Sequence, residues 1–293
     1  PGAATARGES RGAIHRAAGT GDNVRRRAED VKSGTTVLTR GSRISARHVA
    51  LLAGLGLHRV RVRPAPRVVV VSIGDELVEP GQSREAGDVF DANGHALACA
   101  VTDAGGQAFR VAAVPDELRA LADTIEDQLV RADVLITTGG LSVGQGDTVK
   151  DVLAPLGSVR FDAVAMSPGR QLGVGTVEGT PIFCLPGDPV SAQIAFEIFV
   201  RPVLRQIAGR TSLHRSSLPA TISEGWHSPS GKREFVPVHV SGSPSRGYRA
   251  EPTTPPGAVR LHGLSEANAI AVVPEDTSTV VAGDTLHCLL LDA

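Results

Sequence analysis

Three short segments combine glycine with carboxylates and hydroxyls where an apolar run gives way to a helix or loop. They are 72–77 (SIGDEL), 137–147 (TTGGLSVGQGD) and 185–191 (LPGDPVS). Glycines at such points let backbone N–H groups approach a ligand, and helix N-termini favour anions. Glu76, Asp75 and Asp147 put carboxylates at the same rim. Amide donors beside carboxylates suit a phosphorylated ligand held with a hard cation such as Mg²⁺. Glu76, close behind a strand-end glycine, has no obvious structural task, which favours a functional one. Asp147 and Asp188 each precede a helix and read equally well as N-caps, and Asp116 reads more readily as a cap than as a functional group. Arg25-Arg26-Arg27, taken as a charge run, reads as a solvated turn. There is no GxSxG elbow, no P-loop and no cysteine pair at zinc spacing.

These segments need a scaffold that brings them to one edge. Residues 67–73 (RVVVVSI) form a continuous β-branched run, as in a strand buried on both faces. Leu97, Ala100, Val101 and Ala104 follow helical spacing up to Gly105. QAFRVAAV reads as the next strand. A helix from about Asp116 carries Leu118, Leu121, Ala122, Ile125 and Leu129 on one face. DVLITT and TPIFCL are further apolar strands, the second leading into a helix that Gly209 ends. This alternation predicts a parallel sheet with helices on both faces, whose ligands bind beyond the carboxyl ends of the strands.

Flanking segments read differently. Residues 1–20 are small, polar and without period, as in a poorly ordered leader. Residues 21–66 hold a charged turn, a strand-like stretch (GTTVLTRGSRIS), a short helix over 46–53 and a basic strand (HRVRVRP). After Gly209 the helical period disappears, and EFVPVHV, AIAVVP and TLHCLLL read as strands of a small barrel or sandwich. The domains expected are a disordered leader at 1–20, a partial N-terminal or linking domain at 21–66, the α/β domain at 67–210 and an all-β domain at 211–293.

Composition narrows the classes. The 293 residues are 41% apolar and 21% charged, as in a folded globular chain. Thirty basic against 31 acidic residues leave a net charge of −1, so no bulk field points to nucleic acid or a membrane surface. No apolar run is long enough to span a bilayer. Cys99, Cys184 and Cys288, odd in number and far apart, fit a reducing, cytoplasmic setting better than a disulfide framework.

In register, GDNVRRRAED (21–30), SIGDEL (72–77), DAN (91–93), TTGGLSVGQGD (137–147), MSPGR (166–170) and LPGDPVSA (185–192) resemble the motif series of the molybdopterin molybdenumtransferases. The resemblance runs from about residue 21 to the C-terminus. It implies a molybdopterin-binding α/β domain, a C-terminal β-barrel and a reaction joining molybdate to adenylylated molybdopterin with release of AMP, assisted by Mg²⁺ or a similar cation. By motif, Glu76 and Asp147 would be the catalytic and metal-handling carboxylates. Substrate-binding positions would be Arg25, Asp30, Asp91, Asn93, Asp116, Gly139, Gly140, Ser142, Ser167, Gly169, Arg170, Pro186, Pro189 and Ser191. The family also implies a homodimer and contact with the molybdopterin adenylyltransferase.

The departures from the family pattern are specific. Ser167 and Arg170 stand where the family's loop carries two lysines, so one cation is missing and the other is a guanidinium fork. Asp188 replaces the usual Asn, and Gln145-Gly146 replaces an acidic and a small residue. By the resemblance, the family's N-terminal lobe, with its MTGAP-type motif, is expected to be missing from this sequence. Two alternatives follow from this: a non-catalytic molybdopterin-binding module, and an adenylyltransferase of the same fold. The adenylyltransferases are usually a lone α/β domain, which disfavours the second.

Overall fold

The computed structural model describes residues 17–141, 148–258 and 260–291, and the backbone of two short strands before them. Two compact units result, Pro1–Ser42 and Arg43–Ala293. In the first unit, β1 (Thr5–Ala6) and β2 (Ala13–Ile14) pair antiparallel, within a leader that has no strand period. The charged segment after it is a series of exposed turns, one of them held by the Glu29 carboxylate accepting from the Arg26 N–H at 2.7 Å. Arg25 and Asp30 are exposed here.

The second unit opens with α1 (Ala46–Gly54), which buries only Leu52. The expected strands in GTTVLTRGSRIS and HRVRVRP do not form among the described residues. Alternation alone makes no ladder: without a neighbouring strand the backbone stays solvated, and Val60 and Val62 are 42% and 66% exposed.

The α/β domain begins with β3 (Arg67–Ser72), and β4 (Leu77–Val78) and β5 (Val89–Phe90) pair at its rim. Next come α2 (Ala92–Ala104), β6 (Gln107–Arg110), α3 (Leu118–Leu129), β7 (Val134–Thr138) and α4 (Thr148–Leu156). Then β8 (Gly157–Ala163), β9 (Met166–Ser167), β10 (Gln171–Val177) and β11 (Thr180–Leu185) lead to α5 (Pro189–Ala195). The sheet order is β6-β3-β7-β11-β10-β8. Its first four strands are parallel, and β10 and β8 extend them antiparallel.

β3 shows why this sheet needs helices on both faces. Val68 and Val70 pack with Leu97, Val101, Phe196 and Leu204 from one side. Val69 and Val71 pack with Leu121, Ile125, Val149 and Leu153 from the other. A run buried on both faces is a parallel central strand. α2 ends at Gly105, whose φ of 93° is the left-handed conformation glycine supplies at a helix C-terminus. After α5 the chain passes through a π-helical turn (Phe196–Val200) into α6 (Arg201–Ile207). Pro202 has no N–H for a helical bond, and the π turn just before it absorbs that break.

The last part is a closed barrel. β12 (Ser217–Ile222), β14 (Arg233–Ser243), β15 (Gly247–Pro252), β16 (Ala269–Val273) and β18 (Thr285–Leu290) form the ring β15-β12-β18-β16-β14, closed by the β14–β15 pair. β13 (Trp226–His227) pairs with β17 (Thr279–Val280), and α7 (Leu261–Glu266) lies between β15 and β16 in the chain. Alternate residues such as Val236, Val238 and Val240 fill the barrel with Ala220, Ile222, Ala271 and Leu286. β9 joins this sheet, pairing parallel with β14 so that Ser167 lies opposite Glu234. The barrel thereby fixes the start of the 166–170 loop.

Candidate active site

The carboxyl ends of β3, β7 and β11 lie side by side, as the glycine segments require. Gly139 N–H donates to the Leu185 carbonyl at 3.3 Å, and Ile73 N–H to the Thr138 carbonyl at 2.9 Å. Gly139 has φ 89°, and a Cβ there would lie 2.2 Å from the Ile73 carbonyl oxygen. A Cβ on Gly187 would lie 3.4 Å from the Gly139 Cα. At Gly139 only glycine fits, and the close approach of Gly187 keeps the crevice floor lined by backbone. Gly140, φ 65°, faces Val149 on one side and the Asp116 carboxylate, 3.6 Å from its Cβ direction, on another.

A buried polar network holds these ends in register. Asp91 caps α2 by accepting from the Gly94 N–H at 2.8 Å, and the same oxygen accepts from the Ser72 hydroxyl at 2.9 Å. Its other oxygen faces Arg110 at 3.3 Å. Arg110 also grips Glu79 through both nitrogens, at 2.6 and 2.9 Å, and holds that carboxylate below its ordinary pKa. Asn93 donates to the Thr138 hydroxyl and to the Gly187 carbonyl, each at 2.8 Å. The Thr138 hydroxyl in turn donates to the Pro186 carbonyl at 2.8 Å. One helix start thus ties all three strand ends together. Asp91 and Asn93, which the motif resemblance puts among the substrate-binding positions, are buried beneath the crevice, and the Asn93 Oδ1 has no hydrogen-bond partner.

Carboxylates gather at the rim above. Glu76 is exposed, its carboxylate folded back over Gly74. Asp75 accepts from the Asp116 N–H at 3.1 Å, which brings Asp116 to the same edge. Asp116 is not the cap of α3; Glu117 occupies that position without a side-chain bond, and the Asp116 N–H is bonded to Asp75 instead. Asp188 is the cap of α5, accepting from the Ser191 N–H at 2.8 Å, with Pro189 following it. The 166–170 loop comes to this same helix start: a Cβ on Gly169 would lie 3.1 Å from the Ser191 carbonyl oxygen. Ser167 and Gly169 are half-buried and Arg170 is exposed. Pro186 is buried beneath the crevice. Ser142 and Asp147 lie outside the described residues, and Arg25 and Asp30 lie in the other compact unit.

Sequence reasoning missed Arg110, Glu79, Thr138 and Gly187. Gly187 and Thr138 left a signal, as members of the LPGDP and TTGG segments. Arg110 and Glu79 act through contacts between segments far apart in the chain. Among the described residues no three His, Cys, Asp or Glu side chains form a metal cluster. Glu76, Asp75 and Asp116 are hard oxygen donors, the type Mg²⁺ takes one or two at a time together with substrate phosphates. The donor chemistry therefore fits Mg²⁺ shared with a ligand, not a cage made of protein alone.

A four-strand parallel core with glycine-lined strand ends, followed by a closed barrel, defines a ligand-binding α/β domain joined to a β-barrel domain. Three family models match in the same order: the MoeA N-terminal region (domain I and II) at 3–56, a probable molybdopterin binding domain at 69–206, and the MoeA C-terminal region (domain IV) at 219–291. Molybdopterin molybdenumtransferase 2 of Mycobacterium tuberculosis is 38% identical over 285 residues, covering 94% of this chain and 69% of that protein. Molybdopterin molybdenumtransferase 1 of the same organism is 34% identical, covering 97% and 68%. The crystal structure of the molybdopterin biosynthesis moea protein from Pyrococcus horikosii superposes with a TM-score of 0.80 at 27% identity, covering 98% of this chain and 70% of that one. The chain belongs to the molybdopterin molybdenumtransferases, enzymes of molybdenum cofactor biosynthesis.

Proposed function

We propose that this chain inserts molybdate into adenylylated molybdopterin and releases AMP, with the crevice beyond β3, β7 and β11 as its reaction site. The observation that carries this reading is the meeting of Gly139, Gly140 and Gly187 at one floor beneath the Glu76, Asp75 and Asp116 carboxylates. The backbone N–H groups of Gly140 and Gly187 there would receive the anionic phosphates. The 166–170 loop, seated against Ser191, brings Arg170 to the anion. Mg²⁺ would be held by Glu76, with Asp147 as its partner, and would offset phosphate charge. Glu76 itself, exposed at the rim, is placed to handle a proton or the metal as AMP leaves.

The finer parts of the proposal rest on the family and on chemistry. We propose a homodimer, contact with the molybdopterin adenylyltransferase that supplies the substrate, and a cytoplasmic setting. Burial pushes the Cys288 thiol up to about 11, which keeps it inert, and Cys99 is exposed. Among the described residues no helix is long and apolar enough to cross a membrane. Nothing in the crevice favours the binding-module or adenylyltransferase alternatives. Titration calorimetry with adenylylated molybdopterin tests the site: saturable binding, weakened in Gly140→Val, is expected. A folded sample that binds no adduct would overturn it.

A further inference from the structure

At the opposite edge of the sheet, arginines collect with too few carboxylates. Arg201 is 5% exposed, and its Nε and Nη1 have no hydrogen-bond partner. Its nearest carboxylate is Glu197, at 3.6 Å. That carboxylate is already gripped by both arms of Arg215, at 2.8 Å each. Arg205 is half-buried one helical turn on, its Nε on the Ser212 carbonyl at 2.6 Å. Arg210 reaches back to the end of α2, where its Nη2 lies 3.5 Å from the Cβ direction of Gly105. Burial lowers the pKa of Arg205, and the charges of Arg210, Arg43 and Arg215 lower it further against Glu197 alone. A buried guanidinium whose ion pair is a shared carboxylate at 3.6 Å, with two nitrogens lacking a hydrogen bond, is costly, and the cost is relieved by an anion.

We propose that Arg201, Arg205 and Arg210 form a binding site for a tetrahedral oxyanion, separate from the crevice. Guanidinium forks match the oxygens of such an ion two at a time. The ion is phosphate, free or carried on a larger molecule. It sits where α2 and α6 end near the start of β3, so its charge ties α6 to α2.

The test is calorimetric titration of the full chain with inorganic phosphate, at ionic strength held constant with chloride. One saturable event is expected, weakened at least about tenfold in the Arg205→Gln/Arg210→Gln double variant. The single variant Arg210→Gln should weaken it as well and guards against misfolding of the double variant. Arg170→Gln, at the crevice, should leave it within about twofold. A phosphomonoester bound as tightly as phosphate would show that the site takes a carried phosphate; one bound far more weakly would show that it takes the free ion. No saturable binding would overturn the proposal. So would binding lost in Arg170→Gln and kept in Arg205→Gln/Arg210→Gln.

Discussion

Glu76 and Asp91 are carboxylates fifteen positions apart, and their surroundings give them opposite tasks. Asp91 is 1% exposed and accepts from Ser72 and Gly94, with Arg110 on its other oxygen. Removing it uncaps α2 and leaves the buried Ser72 hydroxyl and Gly94 N–H without their acceptor, so Asp91→Ala should cost about 2 kcal/mol, read as a lower urea midpoint. Glu76 has no such partners and can be spared by the fold. Glu79 belongs with Asp91. Its hydrogen bonds to Arg110 depress its pKa from an ordinary 4.5, so its contribution to stability is present above that value. As pH falls through and below 4.5 that contribution is lost, and the urea midpoint should drop. The drop should be shallower in Glu79→Gln, whose side chain does not titrate; equal slopes for both proteins would remove Glu79 from the account.

At the scale of elements, what could be read from the sequence depended on how local the signal was. The buried runs of β3, β7 and β11, the Gly105 stop and the Asp188-Pro189 start each carry their cause within a few residues, and all appear as expected. β8 and β10 were hidden. β8 is mostly exposed, and β10 carries Gly173 and Gly175, which a strand pattern does not favour. Those glycines are required by neighbours: a Cβ on Gly175 would lie 2.0 Å from the Ser158 carbonyl oxygen on β8. The strand ends are equally strict. Gly139→Ala should lower stability by about 2 kcal/mol or more and weaken adduct binding, since the new Cβ meets the Ile73 carbonyl at a left-handed φ. Asp188 permits a gentler test. Asn caps a helix as well as Asp does, so Asp188→Asn should hold stability within about 0.5 kcal/mol while lowering the KM for molybdate. A loss near 1 kcal/mol, with KM unchanged, would show that the charge matters only to the cap.

Across the whole molecule, the site draws on parts that no single segment announces. The rim carboxylates come from the loops after β3 and β6, the floor from the ends of β7 and β11, and the anion loop from a strand that belongs to the barrel sheet. Glycine segments and their order were legible because backbone approach demands glycine at fixed places. The Arg110–Glu79–Asp91 network and the β9–β14 pair were not, because each joins residues whose partners are set only by the fold. The central claim is that this assembled crevice performs molybdenum transfer through Glu76. It is tested most directly by measuring molybdate-dependent AMP release from adenylylated molybdopterin, with Mg²⁺, for the wild-type chain and Glu76→Gln side by side. AMP release that needs molybdate, falling about 10²-fold in Glu76→Gln while thermal stability is unchanged, is the predicted result. Equal AMP release by the two proteins would contradict the account.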